Sequence, residues 1–291
     1  MQITGITFIR NALRYDYPIV ESIRSVLPLV DTMIVAVGRS EDATRELIAG
    51  LNSAKIEILD TVWDDSLRTG GRVLAEETDK ALRAVPTATD WVLYIQGDEV
   101  LHEQYHEPLR ASMTRWKDDA ATDGLLFDYL HFYGSYDYVG DSLRWYRREV
   151  RVVRPNRGIY SYRDAQGFRM GADQKLRVRH SGATMYHYGW VKDPRAMQRK
   201  AEDFNRYWHD DAWLEENIAR REAFDYGEVD ALRRFEGSHP EVMNKRIDRL
   251  NWEFDHDPSM NRYGFKERCK RWIEGLTGFR PGEYRNYRLL K

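Results

Sequence analysis

Four short apolar runs separated by helix-length stretches dominate the first hundred residues. The runs are Thr4–Ile9, Met33–Val37, Ile56–Leu59 and Trp91–Ile95. The stretches between them carry apolar residues at a helical period. Strands that alternate with helices indicate repeated βαβ units, hence a mainly parallel sheet with helices on both faces. The sequence therefore predicts an α/β protein whose ligands bind beyond the carboxyl ends of the strands.

The pattern changes after residue 120, where the strand-like runs become shorter and aromatic residues more frequent. Asp193 and Pro194 then predict a helix start, with Asp as the N-cap and Pro at the first helical position. From about residue 211 the chain is highly charged, without strand signals. We expect one domain over residues 1–210, with halves 1–120 and 121–210, the second a mixed region. A helical C-terminal extension over 211–291 should follow.

Charge and composition exclude several classes of protein. The net charge of −2 argues against nucleic-acid binding by wholesale phosphate neutralisation. The single cysteine, Cys269, excludes an internal disulfide and a multi-cysteine metal site. The N-terminus does not resemble a signal peptide, and no apolar stretch reaches the length of a membrane helix. We therefore expect a soluble cytoplasmic protein, whose many aromatic residues suit either a core or the stacking of sugars and bases.

Two carboxylates follow the fourth strand directly. Asp98 and Glu99 come after Ile95 and should lie at the carboxyl rim of the sheet. Such a pair can hold a hard cation that keeps open positions for substrate phosphates. The alternative is that both residues stabilise the N-terminus of the helix that follows.

Three segments carry a family resemblance. Trp91–Glu99 resembles the segment that ends in the Asp-X-Asp signature of family 2 glycosyltransferases, which have the GT-A fold. Thr7–Asn11 resembles the opening motif of that family, and Val35–Thr44 resembles its second-strand motif, which ends in Ser-X-Asp-X-Thr. The resemblance implies a GT-A-like fold in which residues 1–120 bind a nucleotide sugar and residues 121–210 bind the acceptor and a metal. Two positions depart from the family: Gln96 stands where the first Asp of the signature is usual, and Val37 where an Asp usually contacts the nucleobase.

The resemblance also implies the site residues. Asp98, with His187 as a late histidine ligand, would hold Mn²⁺ or Mg²⁺, and His180 is the competitor for that role. The donor-binding residues, which include the metal ligand Asp98, would be Arg10, Asn11, Ser40, Asp42, Arg72, Lys80, Gln96, Asp98 and Glu99. The alternatives are helix capping by Ser40 and Asp42, and a solvated helix face for Arg72 and Lys80.

An inverting transferase needs a general base that deprotonates the acceptor hydroxyl. Asp164 is our first candidate and Asp141 the second, with Asp137 and Asp173 as further acidic residues of the same region. An isolated Asp in a loop is also a common turn residue. The aromatic segment 133–146 should be an acceptor-binding loop or an aromatic flap.

The last thirty residues are basic. Residues 262–291 contain nine Lys or Arg and three Asp or Glu, among Trp272, Ile273, Leu276 and Phe279. A basic helix with an apolar face can lie on an anionic membrane surface. For this protein we expect the inner face of the membrane. The alternative is that this face docks onto the acidic remainder of the chain.

We therefore expect an inverting, metal-dependent hexosyltransferase that moves a sugar from a nucleotide-sugar donor to a glycan or lipid-linked acceptor, as in polysaccharide biosynthesis. The alternatives are a non-catalytic carbohydrate- or nucleotide-binding protein and a nucleotidyltransferase. A nucleic-acid partner is not expected.

Overall fold

The structure, a computed structural model, describes residues 1–209, 213, 216, 221–227 and 229–291. The helices in these ranges are α1 Ile19–Val26, α2 Thr44–Ala49, α3 Arg72–Arg83, α4 His106–Trp116, α5 Pro194–Phe204, α6 Asn244–Ile247 and α7 Phe265–Thr277. The strands are β1 Ile3–Ile9, β2 Thr32–Gly38, β3 Ile56–Thr61, β4 Trp91–Tyr94, β5 Glu99–Leu101, β6 Gly124–Tyr133, β7 Tyr138–Gly140, β8 Arg148–Val153, β9 Ile159–Tyr162, β10 Gly167–Met170, β11 Gln174–Trp190, β12 Leu232–Arg234 and β13 Tyr287–Leu289.

The N-terminal half is the parallel α/β unit that the sequence predicts. Its strands run in the order β3-β2-β1-β4, and each neighbouring pair is parallel. Successive side chains of β4 point to opposite faces, as in any strand. Trp91 and Leu93 join the core with α1, α2 and α4, whereas Val92 and Tyr94 join the core with α3. Burial on both faces explains why these strands read as continuous apolar runs.

The second half of the sheet is mixed. β8 lies antiparallel between β4 and β6, and β6 pairs in parallel with the 17-residue strand β11. β5 pairs antiparallel with β11 and places Glu99 opposite His187. The α/β class is confirmed, and the parallel arrangement holds among β1–β4. Beyond them, most strand pairs are antiparallel.

The C-terminal region contributes to the same sheets. β12 pairs with β7, and β13 pairs in parallel with β11. Helices α6 and α7 are separated by turns, so the described part of residues 211–291 is only partly helical. Residues 210–212, 214–215, 217–220 and 228, which belong largely to the predicted extension, lie outside the described residues. Among the helices described, none combines the length and the apolar character needed to cross a bilayer.

Candidate functional site

A cavity of about 910 Å³ lies beyond the carboxyl ends of β1, β3 and β4. Its wall combines aromatic side chains with a comparable number of polar and charged ones. Five of the predicted site residues line it together: Arg10, Gln96, Asp98, Asp164 and His187. Strand exits that are up to ninety residues apart in the chain thus meet at one edge, as the βαβ pattern predicts.

Asp98 is the buried acid of this cavity. A backbone hydrogen bond from Tyr188 N to Asp98 O, 2.8 Å long, ties the loop before β5 to the end of β11. The Asp98 carboxylate lies 3.4 Å from Lys200 Nζ and 3.7 Å from His187 Nε2. Burial alone would raise the pKa of Asp98, but the positive charge of Lys200 beside it outweighs burial and holds this pKa well below its usual range.

Hydrogen bonds determine which nitrogen of His187 carries a proton. His131 Nε2 lies 2.8 Å from Tyr146 O, and since a carbonyl only accepts, this nitrogen is the donor. Burial, with His187 beside it, lowers the pKa of His131 to about 3, so the ring is neutral and its Nδ1 is an acceptor. His187 Nδ1, at 3.1 Å, therefore donates to it. Burial also lowers the pKa of His187, which leaves its Nε2 lone pair facing Asp98.

Two acceptor atoms thus face each other at a distance too long for a hydrogen bond: Asp98 Oδ1 and His187 Nε2. An oxygen and a neutral imidazole nitrogen are suitable ligands for Mn²⁺, so these two residues fit the predicted cation. No group of three or more His, Cys, Asp or Glu that could hold a metal occurs in the described part of the chain. Asp98 and His187 are therefore the only carboxylate and imidazole ligands that these ranges offer at the site, and the other positions would be left to the donor, to water or to other oxygen atoms.

Gly189 keeps this pair accessible. A Cβ atom at Gly189 would lie 2.6 Å from His187 Cε1 and 2.8 Å from Asp98 Oδ2. Contacts that short are repulsive, so a side chain at this position would displace the site.

Glu99 has a different position from the one predicted. Its side chain is fully buried and forms an ion pair with Arg151, whose Nη2 lies 2.7 Å from Glu99 Oε1. Tyr129 Oη and Gln96 N donate to the same carboxylate at 2.6 and 3.0 Å. Glu99 is not among the residues that line the cavity. Asp98 lies in the turn between β4 and β5 and lines the cavity, whereas Glu99, the first residue of β5, is buried on Arg151, so the structure favours a structural role for Glu99 over the predicted donor-binding one.

Gln96, which stands where the family has an acid, holds a distant turn. Its Nε2 donates to Ala165 O at 3.1 Å, and Tyr94 Oη donates to the same carbonyl at 3.3 Å. The turn belongs to the β9–β10 hairpin and contains Asp164 between Arg163 and Ala165, whose φ angles are 58° and 64°. Left-handed backbone at residues other than glycine is strained and is often found at functional sites.

Asp164 lines the cavity, and burial raises its pKa above the usual value. Asp141, the second candidate base, lies outside the cavity wall and accepts from Arg271 Nη2 at 2.8 Å and from Tyr263 Oη at 2.7 Å. An acid held by an arginine is poorly suited to remove a proton. The structure therefore favours Asp164 over Asp141. Three more residues weighed for the site also lie outside the cavity wall, namely Asp137, Asp173 and His180.

The motif residues of the first two loops bond to each other. Asn11 N donates to Ser40 Oγ at 3.0 Å, and Glu41 N donates to Asn11 Oδ1 at 2.7 Å. Asp42 accepts from Thr44 N at 3.0 Å, at the start of α2. None of Asn11, Ser40 and Asp42 lines the cavity. These contacts brace the two loops, and the N-cap position of α2 itself is Ala43, without a side-chain cap bond.

The three predicted basic residues are placed differently. Arg10 lines the cavity, pairs with Asp65 at 2.6 Å and lies 5.5 Å from the Trp63 ring. Arg72 is exposed at the start of α3, and Lys80 pairs with Glu77 on the same helix. Neither Arg72 nor Lys80 lines the cavity, so the structure favours the alternative of a helix face for both.

Lys200 and His131 are site residues that the sequence analysis missed. Lys200 lies on α5, which begins four residues after the end of β11 and brings its first turns back over the strand that carries His187. The Asp193 N-cap, which accepts from Arg195 N at 2.8 Å, was a usable signal for this return. His131 lies beside His187 in the β6–β11 register, a pairing that one sequence does not reveal.

Comparisons with known proteins give structural matches only. No protein-family model matches the chain, and no curated protein matches it significantly. The crystal structure of S. aureus TarS has 13% identity and a TM-score of 0.41, over 76% of this chain and 41% of TarS, so the chain spans less than half of that protein. A TarS 1-349 complex with UDP-GlcNAc has 14% identity and a TM-score of 0.42, over 76% of this chain and 68% of that one.

A third match is glucosyl-3-phosphoglycerate synthase from Mycobacterium tuberculosis, in complex with Mn²⁺, UDP and phosphoglyceric acid. Its identity is 18% and its TM-score 0.31, over 45% of this chain and 43% of that one. Glycosyltransferases of the GT-A fold are thus among the structures that this chain resembles. At these identities and TM-scores, the likeness carries no inference about activity.

Proposed function

We propose that the chain is a glycosyltransferase that moves a sugar from a nucleotide-sugar donor to a glycan or lipid-linked acceptor. The observation that carries this proposal is the arrangement around Asp98. One buried carboxylate, one neutral imidazole lone pair and one ammonium group meet in a large aromatic cavity at the carboxyl edge of a parallel sheet. Such a site suits a ligand that contains both a phosphate group and ring systems.

The polar groups suit a leaving nucleoside diphosphate. Asp98 and His187 would hold a divalent cation, which stabilises the negative charge that develops on the diphosphate when it is bound. Lys200 Nζ, 15% exposed and 3.4 Å from Asp98 Oδ2, is a second positive charge on the same carboxylate. In a site screened from water, such a charge stabilises a departing phosphate more strongly than it would in solvent.

Asp164 is the proposed general base of an inverting transfer. A raised pKa makes a carboxylate a better proton acceptor, and burial raises that of Asp164. Gln96 positions it, because the Gln96 amide donates to the carbonyl of the following residue, Ala165. An Asp at position 96 has no N–H to donate, so the departure from the family signature serves the turn instead of the metal.

The experiment is a thermal-shift screen of UDP, GDP, ADP, CDP and TDP, each with and without Mn²⁺. We expect one nucleotide to raise the melting temperature, and Mn²⁺ to enlarge the shift, since ligands that bind the folded state stabilise it. Asp98→Ala should lose the Mn²⁺-dependent part. Asp225→Ala is the matched control, since Asp225 is another acidic residue of the cavity wall. No shift with any nucleotide would favour the carbohydrate-binding alternative.

Product analysis separates transfer of a sugar from transfer of a nucleotide. With the nucleotide sugar of the base identified in the screen, a glycosyltransferase releases a nucleoside diphosphate, whereas a nucleotidyltransferase forms or consumes a nucleotide sugar with turnover of pyrophosphate. Release of pyrophosphate from a nucleoside triphosphate and a sugar phosphate would replace our proposal with the latter.

A further inference from the structure

Helix α7 has its polar and apolar sides reversed relative to an ordinary surface helix. Its inner side is polar: Glu267 Oε1 accepts from Leu143 N at 2.8 Å, and Glu274 Oε1 accepts from Arg147 Nη1 at 2.7 Å. Arg271 Nη2, on the same side, donates to Asp141 at 2.8 Å. No residue of α7 is buried. A surface helix normally packs its apolar stripe on the core, so this orientation needs a separate explanation.

The outer side of α7 is an apolar stripe. Phe265, Cys269, Trp272 and Leu276 are spaced i, i+4, i+7 and i+11, which places them on one face of the helix. Phe265 is 82% exposed, Trp272 69% and Leu276 67%. Phe279, just beyond the helix, is 52% exposed. Contiguous exposed apolar surface of this kind marks an interaction site.

Basic residues flank the stripe. Lys266, Arg268 and Lys270 belong to α7, and none of them has an ion-pair partner within 4 Å in the described ranges. The segment 262–291 has nine basic and three acidic residues, so its formal charge is 9 − 3 = +6. The alternative open at the level of sequence is that this face docks onto the acidic catalytic half. Among the described residues the stripe is exposed, and α7 contacts the rest of the chain through its polar side.

We propose that α7 binds the surface of an anionic lipid membrane. Aromatic and aliphatic side chains flanked by free lysine and arginine are the composition of helices that lie in the headgroup region, parallel to the membrane. The charge also selects this occupant over a second copy of the chain. An isologous dimer through the stripe would bring two segments of charge +6 together, whereas anionic headgroups neutralise them.

The same helix is connected to the cavity. Its polar side holds residues 141–147, and within this loop Arg144, Trp145 and Tyr146 line the cavity. A protein bound through α7 would therefore have one cavity wall next to the headgroups. A lipid-linked acceptor would then reach the cavity from the membrane, and this consequence rests on the proposed function. Membrane binding itself does not, because it is measured without any substrate.

The experiment is co-sedimentation of the full chain with vesicles of phosphatidylcholine alone and of phosphatidylcholine mixed with phosphatidylglycerol. We expect binding to the anionic vesicles, with little to the neutral ones, and a loss of binding at high salt. The apolar variant is Phe265→Ser/Trp272→Ser/Leu276→Ser, and the charge variant is Lys266→Gln/Arg268→Gln/Lys270→Gln. We expect each to lower partitioning more than tenfold, since one basic residue near the surface contributes roughly a fivefold effect.

Val62→Ser is the matched control, because Val62 is 69% exposed outside this segment. The substituted side chains are exposed, except that of Lys270, which is half-buried, so the variants should keep the wild-type melting temperature, which is measured in parallel. Equal binding to both kinds of vesicle, or none to either, would overturn the proposal. Analytical ultracentrifugation tests the second copy as occupant: a dimer that the apolar variant abolishes, without vesicle binding, would assign the stripe to self-association.

Discussion

The substitution Glu99→Gln tests whether Glu99 stabilises the fold or binds the nucleotide-sugar donor, because the Gln side chain has nearly the same shape as that of Glu. In the native protein, Glu99 and Arg151 are both fully buried and are joined by Arg151 Nε at 2.9 Å and Nη2 at 2.7 Å. The carboxylate also accepts from Tyr129 Oη and Gln96 N. The Gln amide has only one oxygen that accepts hydrogen bonds. Its NH₂ group would face the same donors that the carboxylate binds in the native protein. The substitution therefore leaves the Arg151 guanidinium buried without its counter-charge.

Loss of one partner of a buried ion pair costs about 3–5 kcal/mol of unfolding free energy. For a chain of this size, each kcal/mol shifts the melting temperature by about 2–4 °C, so we expect a decrease of about 10 °C. The measurements are chemical denaturation and differential scanning calorimetry. Below the new melting temperature, affinity for the nucleotide identified in the screen should be nearly unchanged, because Glu99 does not line the cavity.

Glu99→Met/Arg151→Met is the control for this reasoning. Removal of both charges leaves no unpaired ion, so the double variant should be more stable than Glu99→Gln. Wild-type stability of Glu99→Gln together with weaker nucleotide binding would refute the structural assignment and return Glu99 to the donor site.

Four further substitutions test the site and the core. Asp164→Asn should lower turnover by about 10²–10⁴-fold and keep nucleotide affinity, measured by steady-state kinetics and calorimetry. Gln96→Asp, although it restores the family residue, should lower kcat with little change in KM, because the Ala165 carbonyl loses one of its two donors and keeps only Tyr94 Oη. Gly189→Ala should abolish Mn²⁺-dependent nucleotide binding in the thermal-shift assay, because its methyl group would displace Asp98. Glu149→Gln should gain stability relative to the native protein between about pH 5 and pH 8, by up to about 1.4 kcal/mol per pH unit in chemical denaturation.

The sign of the Glu149 effect follows from proton linkage. Burial raises the pKa of Glu149 from 4.5 to about 8 in the folded protein. Between these values the unfolded chain releases the proton while the folded one keeps it, so the native protein loses stability as pH rises and the Glu149→Gln variant does not. A pH-independent difference would contradict the assignment. Loss of donor affinity in Asp164→Asn would contradict the role of Asp164 as a base. An equal effect of Gln96→Asp and Gln96→Glu on KM alone would contradict the positioning role of Gln96. Mn²⁺-dependent binding retained in Gly189→Ala would contradict the steric role of Gly189.

The sequence was sufficient for the parallel half of the fold. Apolar runs without alternation predicted strands covered on both faces, and helix-length separations predicted the crossovers. Because parallel strands end at one edge, Asp98 and Arg10 could be placed near each other without the structure. The Asp193-Pro194 pair likewise predicted the start of α5.

The site could be predicted only in part, because its details depend on pairing across the chain. The different positions of Asp98 and Glu99 depend on Arg151, whose burial requires β8 to lie between β4 and β6. Lys200 contacts an acid 102 positions away, and no local pattern marks that contact. An exposed apolar stripe such as that of α7 has the same spacing in sequence as a buried one, so only the packing of residues 141–147 distinguishes them.

Strand β11 also sets the order in which the molecule can assemble. It pairs with β5, β6, β10 and β13, which begin as early as residue 99 and end as late as residue 289. Closing such long loops is slow, because chain entropy is lost before the contacts form. His187 lies near the end of this strand, so it can meet Asp98 only when β11 folds back onto β5. A growing polypeptide therefore lacks this pair until β11 has been synthesised.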